Sequence, residues 1–108
     1  MLTGDKMNFQ SESKEMLKKE IISRLSEFPE IRRIVIFGSF LDSDKPSDID
    51  IAVFQDSDEG YYSLAMKYRK NLRPIANKIP IDLIPIRRNG EADPFVQEIG
   101  NGEVLYER

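Results

Sequence analysis

Two short runs rich in isoleucine and valine, Ile31–Phe37 and Asp48–Phe54, lie close together in the chain with only a polar turn segment between them. Runs of this length and composition read as buried strands. A link this short need not be a parallel crossover, which takes a dozen or more residues. The second run is unusual at its start. Asp48-Ile49-Asp50-Ile51 alternates acid with isoleucine, and Ala52-Val53-Phe54 then continues apolar on both faces. The strand therefore has one buried end and one acidic mouth.

The remaining elements arrange themselves around this pair. Leu17, Ile21, Leu25 and Phe28 fall on one face of a helix capped by Ser11 or Ser13 and stopped by Pro29. Tyr61, Ala65, Tyr68, Leu72, Ile75 and Ile79 keep helical spacing, with Pro74 expected to kink or split that helix near Arg73. Ile81–Ile86 reads as a third strand, and Pro80 and Pro85 suggest an edge position or irregular ends. Asp93-Pro94 has the form of a helix start, with Phe95, Val96 and Ile99 facing inward and Gly100 or Gly102 ending the helix. Val104-Leu105-Tyr106 is expected to dock as a short tail. The order helix, strand, strand, helix, strand, helix predicts an α+β fold, a small mixed β-sheet with helices packed on one side.

A length of 108 residues fits one domain, 1–108, with a modest core that a partner chain or a homodimer would supplement. The net charge of −3 argues against a simple nucleic-acid-binding module. With no cysteine and no histidine, thiolate chemistry, imidazole acid/base chemistry and most transition-metal sites are excluded. Chemistry must run on carboxylates, hydroxyls, Lys, Arg, backbone groups and hard cations. The first ten residues lack the apolar core of a signal peptide, and no apolar run reaches transmembrane length. A cytoplasmic protein without membrane association is expected, starting at Met1 or Met7.

Three features carry candidate chemistry. Gly38-Ser39 ends the first strand, where glycine admits a close phosphate and Ser39 offers a hydroxyl, although the pair is also an ordinary turn. Asp48 and Asp50, two apart on a strand, point to one side and repel unless a cation lies between them; a solvated strand start is the plainer alternative. Asp82 stands among Ile81, Leu83 and Ile84, where a charge is costly unless paired, metal-bound or turned to water from an edge strand. Magnesium suits such a site, because it takes few protein oxygens and completes its shell with phosphates.

Together, Phe37-Gly38-Ser39, then Ser47-Asp48-Ile49-Asp50-Ile51-Ala52-Val53, then Ile81-Asp82-Leu83-Ile84, resemble the nucleotidyltransferase signature of the DNA polymerase beta superfamily. The likeness is greatest to its minimal single-domain members. The resemblance implies a polymerase beta-like fold, with Gly38 and Ser39 on the nucleotide and Asp48, Asp50 and Asp82 as catalytic residues holding two magnesium ions. It implies transfer of a nucleoside monophosphate, AMP from ATP, to an acceptor hydroxyl, with no template nucleic acid. Many such members pair with a helical HEPN-type protein, and some act on it as antitoxins. The alternative is a catalytically weak nucleotide-binding or interaction subunit of a toxin–antitoxin-type complex. Two departures bear on this choice. Phe40, Leu41 and Asp42 stand where an arginine and a second glycine are usual, and the segment from Ser39 to Asp48 is short. Lys67, Lys70 or Arg73 are the candidates to replace that arginine from the third helical segment. Tyr61, Tyr62 and Tyr68 are candidates for base stacking, though such aromatics more often serve a core or interface.

Overall fold

The computed structural model describes residues 11–87, 99 and 101–108. Helix α1, Ser11–Leu25, buries Leu17, Ile21 and Leu25, the face that the spacing predicts. It ends before Phe28 because the chain tightens there: the Phe28 N–H reaches the Leu25 carbonyl at 3.1 Å, ahead of Pro29. Phe28 still packs inward, its ring edge-on to Tyr68 with centroids 5.1 Å apart.

Strands β1, Ile31–Phe37, and β2, Ile49–Gln55, pair antiparallel, as their short link allows. That link holds a four-residue helical turn, α2, Ser39–Asp42. Helix α3, Tyr61–Asn71, is followed by α4, Arg73–Ala76, and the break falls at Leu72, just before the arginine that precedes Pro74. Strand β3, Ile81–Arg87, runs parallel to β2 and lies at the sheet edge, as its prolines suggested.

The C-terminal segment departs from expectation. Glu103–Glu107 is not a docked tail but a fourth strand, β4, antiparallel to β1. Its sequence hid this because a five-residue edge strand with Glu at both ends and a half-exposed Val104 carries little apolar alternation. Register comes instead from the ladder and from Lys18, which reaches Glu103 at 2.9 Å. The helix expected from Asp93 lies outside the described residues, apart from Ile99. The sheet order is β3-β2-β1-β4.

Strand alternation divides the core. Ile34, Ile36, Ile49, Ile51, Val53 and Leu83 face the layer made by α1, α3 and α4. Val35, Ala52, Phe54 and Ile86 face the other way and meet Ile99. Full burial of side chains such as Ile21, Ile34, Ile51 and Leu72 is worth roughly 1.5–3 kcal/mol each. The helical layer is fastened by polar contacts as well. Asn71 Nδ2 donates to the Arg24 carbonyl at 2.7 Å, joining the ends of α1 and α3, and the Tyr68 hydroxyl donates to Glu30 at 2.8 Å. No described helix is long and apolar enough to cross a membrane.

Candidate functional site

The topology brings one end of β1 and the starts of β2 and β3 together. β1 runs antiparallel to β2 and β3 runs parallel to it, so Phe37 lies opposite Asp50, and Asp82 lies opposite Asp50 on the other side. Neighbouring strands are about 4.8 Å apart. Asp50 and Asp82 share the sheet face turned away from α1, α3 and α4, because Ile49, Ile51 and Leu83 occupy the helical face.

Gly38 is the residue that lets this corner close. Its backbone has φ 80° and ψ −158°, a region open essentially to glycine alone, and it has the one positive φ among the described residues. A β-carbon placed there would overlap the Asp50 carboxylate, with Asp50 Cγ at 3.3 Å. Directly after it the chain turns into α2, with the Leu41 N–H on the Gly38 carbonyl at 3.1 Å. Ser39 is exposed at the start of that turn. Phe40 is fully buried in the core, and the Lys14 ammonium sits 5.3 Å from its ring centre while donating to the Ser43 carbonyl at 2.8 Å. Position 40 therefore anchors the loop between Gly38 and Asp48.

The carboxylates feel one another. Burial, then the charge of Asp48 and then that of Asp82, push the Asp50 carboxyl above its ordinary range. Asp48 and Asp50 are half-buried. Asp82 is exposed, so the cost expected from its apolar neighbours is not incurred: Ile81 and Leu83 point to the helical face and Asp82 to water. What ties Asp82 to the site is its register with Asp50. Among the described residues, no three acidic side chains stand close enough to enclose a metal ion by themselves.

The basic residues of the third helical segment are placed elsewhere. Lys67 bridges Glu30 at 3.0 Å and Glu59 at 2.8 Å, and Lys70 and Arg73 ride on α3 and α4, whose packing covers the opposite sheet face. Sequence periodicity identifies a helix but not the sheet face it will cover. Tyr68 is buried against Glu30, whereas Tyr61 and Tyr62 are exposed.

Residues from the last part of the chain also reach this corner. A depression of about 260 Å³ beside Gly38 is lined by Phe37, Leu41, Asp42, Ile99, Asn101 and Gly102. Gly102 lies so close to β1 that a β-carbon would press on the Ile36 carbonyl and on Phe37 and Val35 at 3.0 Å. The sequence signals Gly102 only as a helix end. Its role beside Gly38 depends on β4 pairing with β1.

The family model for polymerase beta nucleotidyltransferases matches residues 19–108. Among solved structures, the chain resembles a Sulfolobus solfataricus protein provisionally named a nucleotidyltransferase, with a TM-score of 0.63 and 18% identity over 88% of this chain and 80% of that one. At that identity the likeness concerns the fold alone. Among curated proteins no sequence match is found. Because the family model covers most of its length, the chain belongs to the polymerase beta nucleotidyltransferase family.

Proposed function

We propose that this protein, acting as one domain, moves a nucleoside monophosphate, AMP from ATP, onto an acceptor hydroxyl with the help of magnesium. The observation that carries the reading is Gly38 held in a glycine-only conformation against Asp50, with Asp82 in register beside it. The donor set fits a hard cation. Burial first, and then the charges of Asp48 and Asp82, raise the Asp50 pKa; a nearby positive charge would offset these, and substrate phosphates would complete a shell that the described acids do not close by themselves.

In this mechanism Asp48 and Asp50 would hold two magnesium ions. Such ions neutralise the triphosphate and make an acceptor hydroxyl easier to deprotonate. Gly38 lets the Asp50 carboxylate lie against the backbone where the chain turns, and at that turn the Ser39 hydroxyl would donate a hydrogen bond to a phosphate. Asp82, exposed beside Asp50, would help hold the metal and would accept the proton released by the acceptor. The acceptor oxygen forms a bond to the α-phosphorus as the bond to pyrophosphate breaks. Positioning and charge stabilisation supply most of the rate. Resemblance to minimal family members supports a helical HEPN-type protein as the acceptor, modified in antitoxin fashion.

Calorimetric titration of ATP with magnesium into wild type and into Asp48→Asn/Asp50→Asn tests this reading. Magnesium-dependent binding that disappears in the double variant is the expected result. Wild type that binds no nucleotide would overturn the stand-alone enzyme. Two observations favour a second reading, a weakly catalytic nucleotide-binding or interaction subunit: position 40 is committed to the core, and the helical basic residues lie on elements that cover the other face. Transfer of labelled AMP to an acceptor separates the two.

A further inference from the structure

The opposite end of β1 and β2 carries a second cavity of about 170 Å³, lined by Arg32, Arg33, Phe54, Gln55, Asp56, Glu107 and Arg108, with the Arg33 guanidinium 4.4 Å from the Phe54 ring centre and 3.9 Å from Glu107. β2 runs from Asp50 to Gln55 between the two places, roughly 17 Å of extended chain. A bulge builds the cavity wall. The register passes from Ile31 opposite Gln55 to Arg33 opposite Phe54, so β1 takes two steps for one on β2. In a regular strand Arg32 and Arg33 would point to opposite faces; the bulge lets both line one cavity.

Among the described residues, two polar atoms at this place are buried without a hydrogen-bond partner: Gln55 Nε2 and Asp56 Oδ1. Gln55 is only 1% exposed, and its Oε1 accepts the Ser57 N–H. Asp56 Oδ2 accepts from Arg32 Nε. A buried polar group left unpaired forfeits its hydration without replacement, so a pair of them calls for an occupant. That occupant must bring an acceptor to Gln55 Nε2 and a donor to Asp56 Oδ1. It must also suit three guanidinium groups set against two carboxylates. Arg108 donates to the Pro29 and Ser26 carbonyls and Arg32 donates through Nε. A guanidinium has five N–H donors, so each has more to offer.

We propose that this cavity is a binding site for a small oxyanion carrying a hydroxyl, the chemistry shared by hydrogen phosphate and short hydroxycarboxylates. The anion's oxygens accept from Gln55 Nε2 and the arginines, and its hydroxyl donates to Asp56 Oδ1. The site is separate from the Asp50 corner and does not depend on the reaction proposed there.

The test is nuclear magnetic resonance of the labelled full chain, titrated in parallel with inorganic phosphate, glycolate and chloride at matched ionic strength. Saturable shifts of the Gln55 side-chain amide and the Arg32 and Arg108 Nε–H signals are expected with phosphate, glycolate or both, and the stronger response identifies the source. Asp48→Asn/Asp50→Asn leaves that response intact. Arg32→Gln and Arg108→Gln, tested singly, each weaken it by about tenfold, the effect of losing one charge-assisted contact. Absence of saturation with both anions overturns the site and leaves a buried water as the partner of Gln55 and Asp56. An equal response to chloride, or one unchanged in both arginine variants, overturns it as well.

Discussion

At the scale of single residues, Gly38 and Asp50 constrain each other. The backbone of Gly38 occupies a region that a β-carbon strains, and the space that carbon would fill belongs to the Asp50 carboxylate. Gly38→Ala is therefore expected to lower stability by about 1–3 kcal/mol, seen as a lower midpoint in denaturant melts. Asp50 has the opposite sign. Burial first, then Asp48 and Asp82, hold its folded pKa above the unfolded 3.8. Its contribution to stability is therefore fully present below the unfolded value and is lost as pH rises through the folded one. Asp50→Asn, which stays neutral, should melt higher than wild type at neutral pH without metal. The gap should narrow as pH falls toward the ordinary carboxylate range. A variant that melts lower at neutral pH would show that the carboxylate is held by favourable contacts rather than repelled.

At the scale of elements, legibility followed the strength of the local pattern. β1, β2 and β3 were readable because dense isoleucine and valine leave few alternatives, and the split at Pro74 was readable because proline ends a helix on its own. β4 was not, since its strand character comes from pairing with β1 rather than from its own five residues. The acids at the strand starts could be singled out from spacing, but the Asp50–Asp82 register and the exposure of Asp82 are properties of the assembled sheet. The α2 turn shows the same limit. From sequence, Phe40 occupies a position where an arginine is usual, whereas in the fold it is a fully buried plug. Phe40→Arg should thus destabilise by about 3 kcal/mol or more instead of improving nucleotide affinity, because it buries a charge and vacates packed volume. The link between α3 and the loop before β1 gives a second expectation. Burial raises the Glu30 pKa, but this is outweighed by its backbone hydrogen bond, the Tyr68 hydroxyl and Lys67, which together hold it below the ordinary range. Stability from Glu30 is present above its unfolded pKa and is lost as pH falls through the folded one. Tyr68→Phe removes one of these supports. It should cost about 1–2 kcal/mol at neutral pH, and the loss should shrink in acid melts as Glu30 protonates.

At the scale of the whole molecule, charge and topology act together. The chain carries a net charge of −3, and three of its carboxylates gather at one end of the sheet, so a bare triphosphate approaches against the field. A cation changes the sign of that encounter. Neither ATP alone nor magnesium alone is then expected to stabilise the fold much, while the two together should. A ligand at a hundredfold over its dissociation constant adds about 2.7 kcal/mol. For a domain of this size that corresponds to a rise of roughly 10 °C or more in the melting midpoint. Asp48→Asn/Asp50→Asn should abolish the joint effect even though the variant starts from a higher midpoint without ligand, so the two signatures of the acids separate in one set of melts. Phosphate provides an internal control from the other end of β2. If it stabilises wild type and the double variant equally, that effect belongs to the arginine-lined cavity. The magnesium–ATP effect, lost in the same variant, then belongs to the Asp50 corner. A joint shift that survives in the double variant would detach nucleotide binding from these acids and remove the basis for assigning them the chemistry.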